Sequence, residues 1–355
     1  ERSDSFVIAL LLFAMSKGED IKTEEPISSR LYSNLVNNLI ITLSKTHTEY
    51  HKINIFSDVS KDELYNEGRV GTGISCGVDS LQTIYQYTSN NCPENLKVNT
   101  LTMLNMGSHG DFGGEKAREL YEKRMKRSEQ FAKNNKFDFI MIDSNISEYI
   151  KMSFVETHTF RNMSAILAIQ KLFKVYYYAS GIPIWDFEIS KKDPAYYDIY
   201  TLNMLSNENI TFYSTGMSFT RLEKIDQITN YKLSYNTLNV CFNEDKNCGK
   251  CEKCVRTLLA LEALKKIDLY KNVFDLDAYK KRKYKNYTIL MHQKYKKNKN
   301  FVDIYKLMKK NNIKILLICK IKGRILPNRV EIKRFLQSIL SQEMYEKLKN
   351  KFWKK

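Results

Sequence analysis

The segment Ser75-Cys76-Gly77-Val78-Asp79-Ser80 restricts this chain more than any other stretch. An apolar, strand-like run from Arg69 to Ile74 precedes it, and the residues from Leu81 to Tyr87 continue as a helix. A turn at such a junction leaves backbone N–H groups unpaired at a helix N-terminus, adds two hydroxyls, and sets glycine where a phosphate approaches the main chain closely. No lysine lies inside the turn and no G-x-x-x-x-G-K-[ST] string occurs in the chain, so this is not the ordinary P-loop. The strand-to-helix position is where a doubly wound sheet binds its ligand.

From about Lys52 onward strands and helices alternate. Strands are expected over Arg69 to Ile74, Val98 to Met106, Phe137 to Ile142, Lys174 to Ala179 and Ile210 to Ser214. Helices are expected near Glu115 to Asn134, from Arg161 to Leu172 and from Val255 to Lys265. Strands spaced by helices of this length imply parallel βαβ units with right-handed crossovers. The expected fold is therefore α/β, doubly wound around a mainly parallel five-stranded sheet. The loop Gly107 to Gly114, with four glycines in eight residues, is expected to cover a nucleotide or substrate.

Residues 1–60 read as an N-terminal helical addition, with helices over Ser5 to Ser16 and Ser28 to Ser44; Leu31, Leu35 and Leu39 recur on one face of the second. Residues 61–240 form the expected nucleotide-binding domain, 241–270 a cysteine knuckle and its following helix, and 271–355 a C-terminal extension. Within that extension, Ile313 to Cys319 suits a short strand or a buried helix, and Val330 to Ile339 an amphipathic helix.

Four of the seven cysteines cluster as Cys241, Cys248, Cys251 and Cys254, with Gly249 inside the tight Cys248-Gly-Lys-Cys251 turn. Two-residue gaps let sulfurs converge on one ion, and four thiolates make a closed tetrahedral set suited to structural Zn²⁺. An iron–sulfur cluster uses the same donors and ranks second. A redox C-x-x-C pair ranks third. Lys246, Lys250 and Lys253 surround the site and would offset the charge of four thiolates.

Net charge is local. Residues 271–355 carry 25 Lys and Arg against 6 Asp and Glu, whereas the first 270 carry 32 against 34. Such asymmetry suits an anionic partner, RNA or an anionic membrane surface, although a solvated helical appendage has the same composition. Aromatics among the cations, as in Tyr279-Lys-Lys-Arg-Lys-Tyr284-Lys-Asn-Tyr287, are what stacking on single-stranded RNA would use. The longest apolar run, Phe6 to Met15, falls short of the roughly 20 residues of a membrane span. Its flank Glu1-Arg2-Ser3-Asp4 lacks a signal peptide's basic start, and a cytoplasmic protein is expected.

The string S-x-G-x-D-S, with Gly73 two residues before its first serine, resembles the PP-loop of the ATP pyrophosphatase family. With the cysteine cluster in the same chain and order, residues 69 to 265 resemble its 7-cyano-7-deazaguanine synthase branch. Thr159-Phe-Arg161-Asn162 resembles that branch's arginine-asparagine pair at a helix start, and Cys248-Gly-Lys-Cys251-Glu-Lys-Cys254-Val-Arg256 its zinc knuckle and following arginine. The segment Gly181 to Tyr200 departs from the branch's tyrosine-proline-aspartate-cysteine-arginine pattern, so a different acceptor is expected.

The resemblance implies a PP-loop fold and an adenylating enzyme. A carboxylate or amide oxygen of the acceptor would attack the α-phosphorus of ATP and expel pyrophosphate, and ammonia or another nucleophile would then displace AMP. Gly73, Ser75, Gly77, Asp79 and Ser80 would hold the pyrophosphate with Mg²⁺, Arg221 would add a phosphate contact, and Cys241, Cys248, Cys251 and Cys254 would hold Zn²⁺. Arg161 would face the transition state or the acceptor, with Asn162 as orienting donor. His109 and His158 flank this pocket in sequence and receive no role. The alternatives are a PP-loop sulfur transferase using Cys76 or a cluster cysteine as reactive thiol, and a non-catalytic nucleotide-binding module docked to RNA or membrane. The expected partners are ATP, the acceptor, that anionic surface, and a second copy of the chain in a homodimer.

Overall fold

The computed structural model describes residues 1–241 and 244–325. Its centre is a five-stranded, wholly parallel sheet of β1 (Arg69–Gly73), β2 (Thr100–Asn105), β3 (Asp138–Asp143), β4 (Phe173–Ala179) and β5 (Thr211–Thr215). The strands lie in the order β3-β2-β1-β4-β5. All five expected strands form, each within three residues of its expected ends. The chain therefore winds outward twice from β1, and the reversal falls at the carboxyl end of β1, where the Ser75–Ser80 loop begins.

The β4 sequence Phe173-Lys-Val-Tyr-Tyr-Tyr-Ala179 shows how the sheet acquires two apolar faces. Alternation sends Val175 and Tyr177 into one apolar cluster, and Tyr176 and Tyr178 toward the other. On the first side lie α4 (Val78–Thr88), α5 (Glu115–Asn134), α9 (Arg221–Ile228) and α10 (Glu252–Ala263). A short helix, α6 (Ile146–Ile150), leads into the second side, where α7 (Phe154–Ala168) and α8 (Asp198–Leu205) lie.

The N-terminal helices α1 (Asp4–Lys17), α2 (Ser29–Asn34) and α3 (Ile40–Thr46) complete the second side, a π-helical turn at Leu35–Leu39 joining α2 to α3. Val7, Ile8, Leu11, Leu31, Leu35 and Leu39 share one cluster with Phe160, Met163 and Phe212, so this addition is a layer of the domain. The buried Asp4 carboxylate ties it down, accepting hydrogen bonds from Ser28 N at 2.8 Å, Asn207 Nδ2 at 2.8 Å and Gln170 Nε2 at 3.3 Å.

On the other side the C-terminal helices extend the core. Beyond its first two residues helix α10 is mostly buried, with Cys254, Val255, residues 257–261 and Ala263 all inside. Helices α11 (Leu276–Lys281), α12 (Lys283–Tyr295) and α13 (Lys299–Lys310) bring Tyr279, Tyr287, Leu290, Phe301, Ile304 and Met308 into its cluster. The hydroxyls of Tyr279 and Tyr287 both donate to Glu262 of α10, at 2.6 and 2.9 Å. These two tyrosines are core residues, which corrects their expected use as RNA-stacking platforms; Tyr284 between them is exposed.

Two other expectations change. Residues Arg161 and Asn162 sit in the middle of α7, since that helix starts at Phe154. Ile313 to Cys319 is neither a strand nor a whole helix: it is irregular up to Leu316 and then enters α14 (Leu317–Ile325). The helix expected at Val330 to Ile339 lies outside the described residues. Among the described residues no helix is long and apolar enough to cross a membrane.

Candidate functional site

A cleft of about 520 Å³ opens at the carboxyl ends of β1, β2 and β4. Its floor is the Ser75–Ser80 loop, with Gly73, Ser75, Gly77, Asp79 and Ser80 all lining it. Gly77 is the residue before α4, so the amides of Val78, Asp79 and Ser80 form a first helical turn without intrahelical partners. The loop closes on itself through its hydroxyls. Ser75 Oγ accepts from Gly77 N at 3.3 Å and lies 3.2 Å from Ser80 Oγ, which donates to Gly77 O at 3.2 Å. Cys76 takes the left-handed conformation, φ 57°, and its carbonyl accepts from Asn239 N at 2.8 Å. Thus the irregular segment that leads from α9 to the cysteines fastens the bend from outside.

Cations surround this floor. Arg124 and Arg127 reach it from α5, Arg221 from the first residue of α9, and Lys253 and Arg256 from α10. A capping box holds α9 in place: Thr220 Oγ1 accepts from Glu223 N, and the Glu223 carboxylate accepts from Thr220 N at 2.7 Å. Each i,i+3 pair, Arg124 with Arg127 and Lys253 with Arg256, presents both cations on one helix face.

Among the described residues that line the cleft, Asp79 is the one carboxylate. Arg221 Nη1 donates to it at 2.7 Å and Lys224 Nζ at 3.1 Å. Burial pushes the Asp79 carboxyl upward, but Arg221 and then Lys224 outweigh it and hold the group below the usual carboxylate range. The remaining cations disfavour one another. Burial and then the neighbouring Arg221 lower Arg256, and burial and then Arg127 lower Arg124. Arg256 Nε is buried without a hydrogen-bond partner among the described residues. A site that concentrates positive charge at such cost suits a polyanion.

The other end of the cleft is neutral. It is formed by Phe154 and Asn162 of α7, Tyr176 and Tyr178 of β4, Thr102 and Leu104 of β2, and Ser108 with His109. Burial and then Arg124 push His109 down to about 4, so the ring is uncharged at neutral pH. Asn162 Nδ2 donates to Tyr178 Oη at 3.2 Å.

Arg161 is elsewhere. It is 0 % exposed, and it does not line the cleft. Its guanidinium donates to Met152 O at 2.7 Å, Ser147 Oγ at 3.0 Å, Asp111 O at 3.3 Å and Met106 O at 3.4 Å. A β-carbon on Gly107, φ +117°, would stand 2.6 Å from its Nη1. Arg161 therefore braces the Gly107–Gly114 loop from behind, which corrects its expected place facing the acceptor. The far end of that loop is tied as well, Gly114 N donating to Glu148 Oε1 at 3.2 Å.

The ligand atoms of Cys241, Cys248, Cys251 and Cys254 lie within 4.8 Å of one another. The Cys248 and Cys254 sulfurs are 4.0 Å apart, against about 3.8 Å for two sulfurs 2.3 Å from one tetrahedral zinc. The Lys250 and Cys251 amides donate to Cys248 Sγ at 3.4 and 3.3 Å, as they would to a thiolate. The set fits a metal ion such as zinc. This knuckle also touches the cleft: Cys241 lines it, and Arg127 of α5 donates to the Asp245 carbonyl and, at 2.6 Å, to its carboxylate.

Sequence reasoning missed the Arg124–Arg127 pair, Lys224, and Tyr178, and read Lys253 as a counter-charge to the metal. The basic i,i+3 spacing on the helices after strand two and after the knuckle was the available signal. Comparison with family models, with curated proteins and with solved structures finds no match to this chain.

Proposed function

We propose that the chain is an ATP-dependent adenylating enzyme of the PP-loop type, releasing AMP and pyrophosphate. The observation that carries this is the junction of the Ser75–Ser80 bend with five cations at the carboxyl edge of a parallel sheet. Ser75, Gly77, Asp79 and Ser80, with Arg221, Lys253 and Arg256 above them, bind the departing pyrophosphate, and Gly73 keeps the strand end clear. A lone carboxylate already shared by Arg221 and Lys224 is too few ligands for a resident Mg²⁺, so Mg²⁺ enters with the phosphates. The neutral end takes the acceptor's carboxylate or amide, with Asn162 as an orienting donor. The protein's contribution is positioning and charge stabilisation of the α-phosphorus as it is attacked. Zinc in the knuckle, fully ligated by protein, supports folding and has no open position for substrate.

Sulfur transfer through Cys76 is disfavoured. Its thiol is 1 % exposed, and burial pushes it up to about 11, so it is protonated at neutral pH. The decisive experiment incubates the protein with Mg-ATP, a panel of carboxylates and ammonia, and follows AMP, pyrophosphate and product mass together. AMP and pyrophosphate in equal amounts are expected. ADP as product, or bound ATP left intact across the panel, overturns the proposal.

A further inference from the structure

From Tyr178, which lines the neutral end of the cleft, a row of three side chains runs back into the protein through His158 to Asp193. Tyr178 Oη lies 2.7 Å from His158 Nδ1, and His158 Nε2 lies 3.0 Å from Asp193 Oδ1. Asp193 Oδ1 also accepts from Ala195 N at 2.9 Å. The hydrogen positions follow from valence. Burial raises Asp193, but the bonds from His158 and Ala195 leave it lowered, so it is an ionised acceptor and Nε2 carries the imidazole proton. Nδ1 then offers a lone pair and Tyr178 donates to it. Asn162 donates to the phenol oxygen, and Thr159, which also stands beside it, gives its single hydroxyl proton to Asp198 Oδ1 at 2.6 Å, so one lone pair of the phenol oxygen is left for the cleft that Tyr178 lines.

Resting on the adenylating reading above, we propose that Tyr178 is the cleft's proton acceptor, relaying the nucleophile's proton to His158 while Asp193 orients and pairs the imidazole. In the step where ammonia displaces AMP, the N–C bond forms and the C–O bond to AMP breaks, its electron pair leaving on the AMP phosphate. One N–H proton moves to Tyr178 Oη as the phenol's own proton moves to His158 Nδ1. Phenol is regenerated and an imidazolium–carboxylate pair results, which later returns the proton to solvent. The phenol has to relay rather than act as a phenolate, because burial raises Tyr178 far above its ordinary value. After transfer Nδ1–H has acceptors ready in Tyr178 Oη and in Thr159 Oγ1 at 3.2 Å. His158 is otherwise faced by Phe154 of its own helix and by the charge of Asp198 from α8. Asp198 is itself raised to about 6 by burial, and adds a second acid beside the ring. Tyr178 is thus a catalytic residue, and His158 and Asp193 act through it.

The test uses full-length, zinc-loaded protein in the ATP, carboxylate-panel and ammonia assay, with nitrogen NMR of His158. Wild type is expected to show the Nε2–H tautomer. Tyr178→Phe and His158→Gln should each slow product formation by about 100-fold, within the range of general acid–base catalysis, with ATP affinity changed less than about twofold. His158→Gln should also remove the acidic limb of the pH–rate profile, and Asp193→Asn should move that limb to lower pH, since losing the carboxylate disfavours imidazolium. A wild-type rate in Tyr178→Phe, an Nδ1–H tautomer in wild type, or an unaltered limb in Asp193→Asn overturns the relay. Absence of AMP from wild type overturns the adenylating reading and the relay with it, and is told apart because no variant is needed to see it.

Discussion

At the residue scale the site depends on charges that have few alternatives to one another. Lys224 is 2 % exposed and its ammonium reaches Asp79 and the Ser180 carbonyl. Removing Asp79 therefore strands a buried cation. Asp79→Asn is expected to lower stability by about 3 kcal/mol at neutral pH, the order found when one partner of a buried pair is deleted. The pH dependence has a definite sign. A carboxyl held below its ordinary value contributes fully above that value of 3.8 and loses the contribution as pH falls through the lowered one. The difference between wild type and Asp79→Asn, measured by urea unfolding, should be constant from neutral pH to about 5 and shrink below about 4. A difference that grows on acidification refutes this account of the pair.

Arg161 makes a contrasting prediction at the same scale. Its donors satisfy the Met106, Asp111 and Met152 carbonyls, and burial brings it down to about 10, so it stays charged at neutral pH. Arg161→Gln should cost about 2–4 kcal/mol, from buried acceptors left without donors. ATP affinity of the folded variant should stay within about twofold of wild type by calorimetry. Stability untouched and affinity lost would restore Arg161 to the substrate site.

At the scale of elements, the βα alternation was legible because strands such as Phe173–Ala179 and Thr100–Asn105 are runs rich in apolar, aromatic and β-branched residues bounded by polar turns. The start of α7 was not. Its inner face buries Thr157, Thr159 and Ser164 beside Phe160 and Met163, so polar residues fill positions where helical periodicity is read from apolar ones. The loop and the cysteines were legible because their chemistry is local. The Tyr178–His158–Asp193 row was not, since only the packing of α7 against β4 and the 180–197 segment unites it. The cysteine knuckle shows how elements combine into a site. It precedes α10, which carries Lys253 and Arg256, and its Asp245 holds Arg127 of α5. Because a thiolate site and its local fold form together, stripping the metal should loosen these three cations at once. Chelation is expected to weaken ATP binding at least about tenfold, the loss of roughly 1.4 kcal/mol, with hydrogen exchange rising first at 244–256. Unchanged affinity in metal-free protein would uncouple the knuckle from the cleft.

At the scale of the whole molecule, residues 4–46 and residues 276–310 thicken the layers on opposite faces of one sheet. The basic composition after residue 271 suits a detachable tail, yet α11, α12 and α13 each set apolar residues into the core. Phe301, Ile304 and Met308 pack with Leu258 and Leu261 of α10, and Glu262 accepts both tyrosine hydroxyls. The lysines of α11 to α13 can face solvent because the apolar residues between them do not. Fully burying each large apolar side chain is worth about 1.5–3 kcal/mol. Tyr279, Tyr287, Leu290, Phe301, Ile304 and Met308 together therefore contribute on the order of 10 kcal/mol, which is the whole stability of an ordinary domain. A chain ending at Lys271 should consequently fail to fold, giving no cooperative thermal transition and no ATP binding, rather than a soluble enzyme lacking an anionic-surface contact. Circular dichroism melting of that truncation decides the matter. A cooperative melt within a few degrees of the full chain would mean that α10 finds other cover, and that the basic segment is an appendage after all.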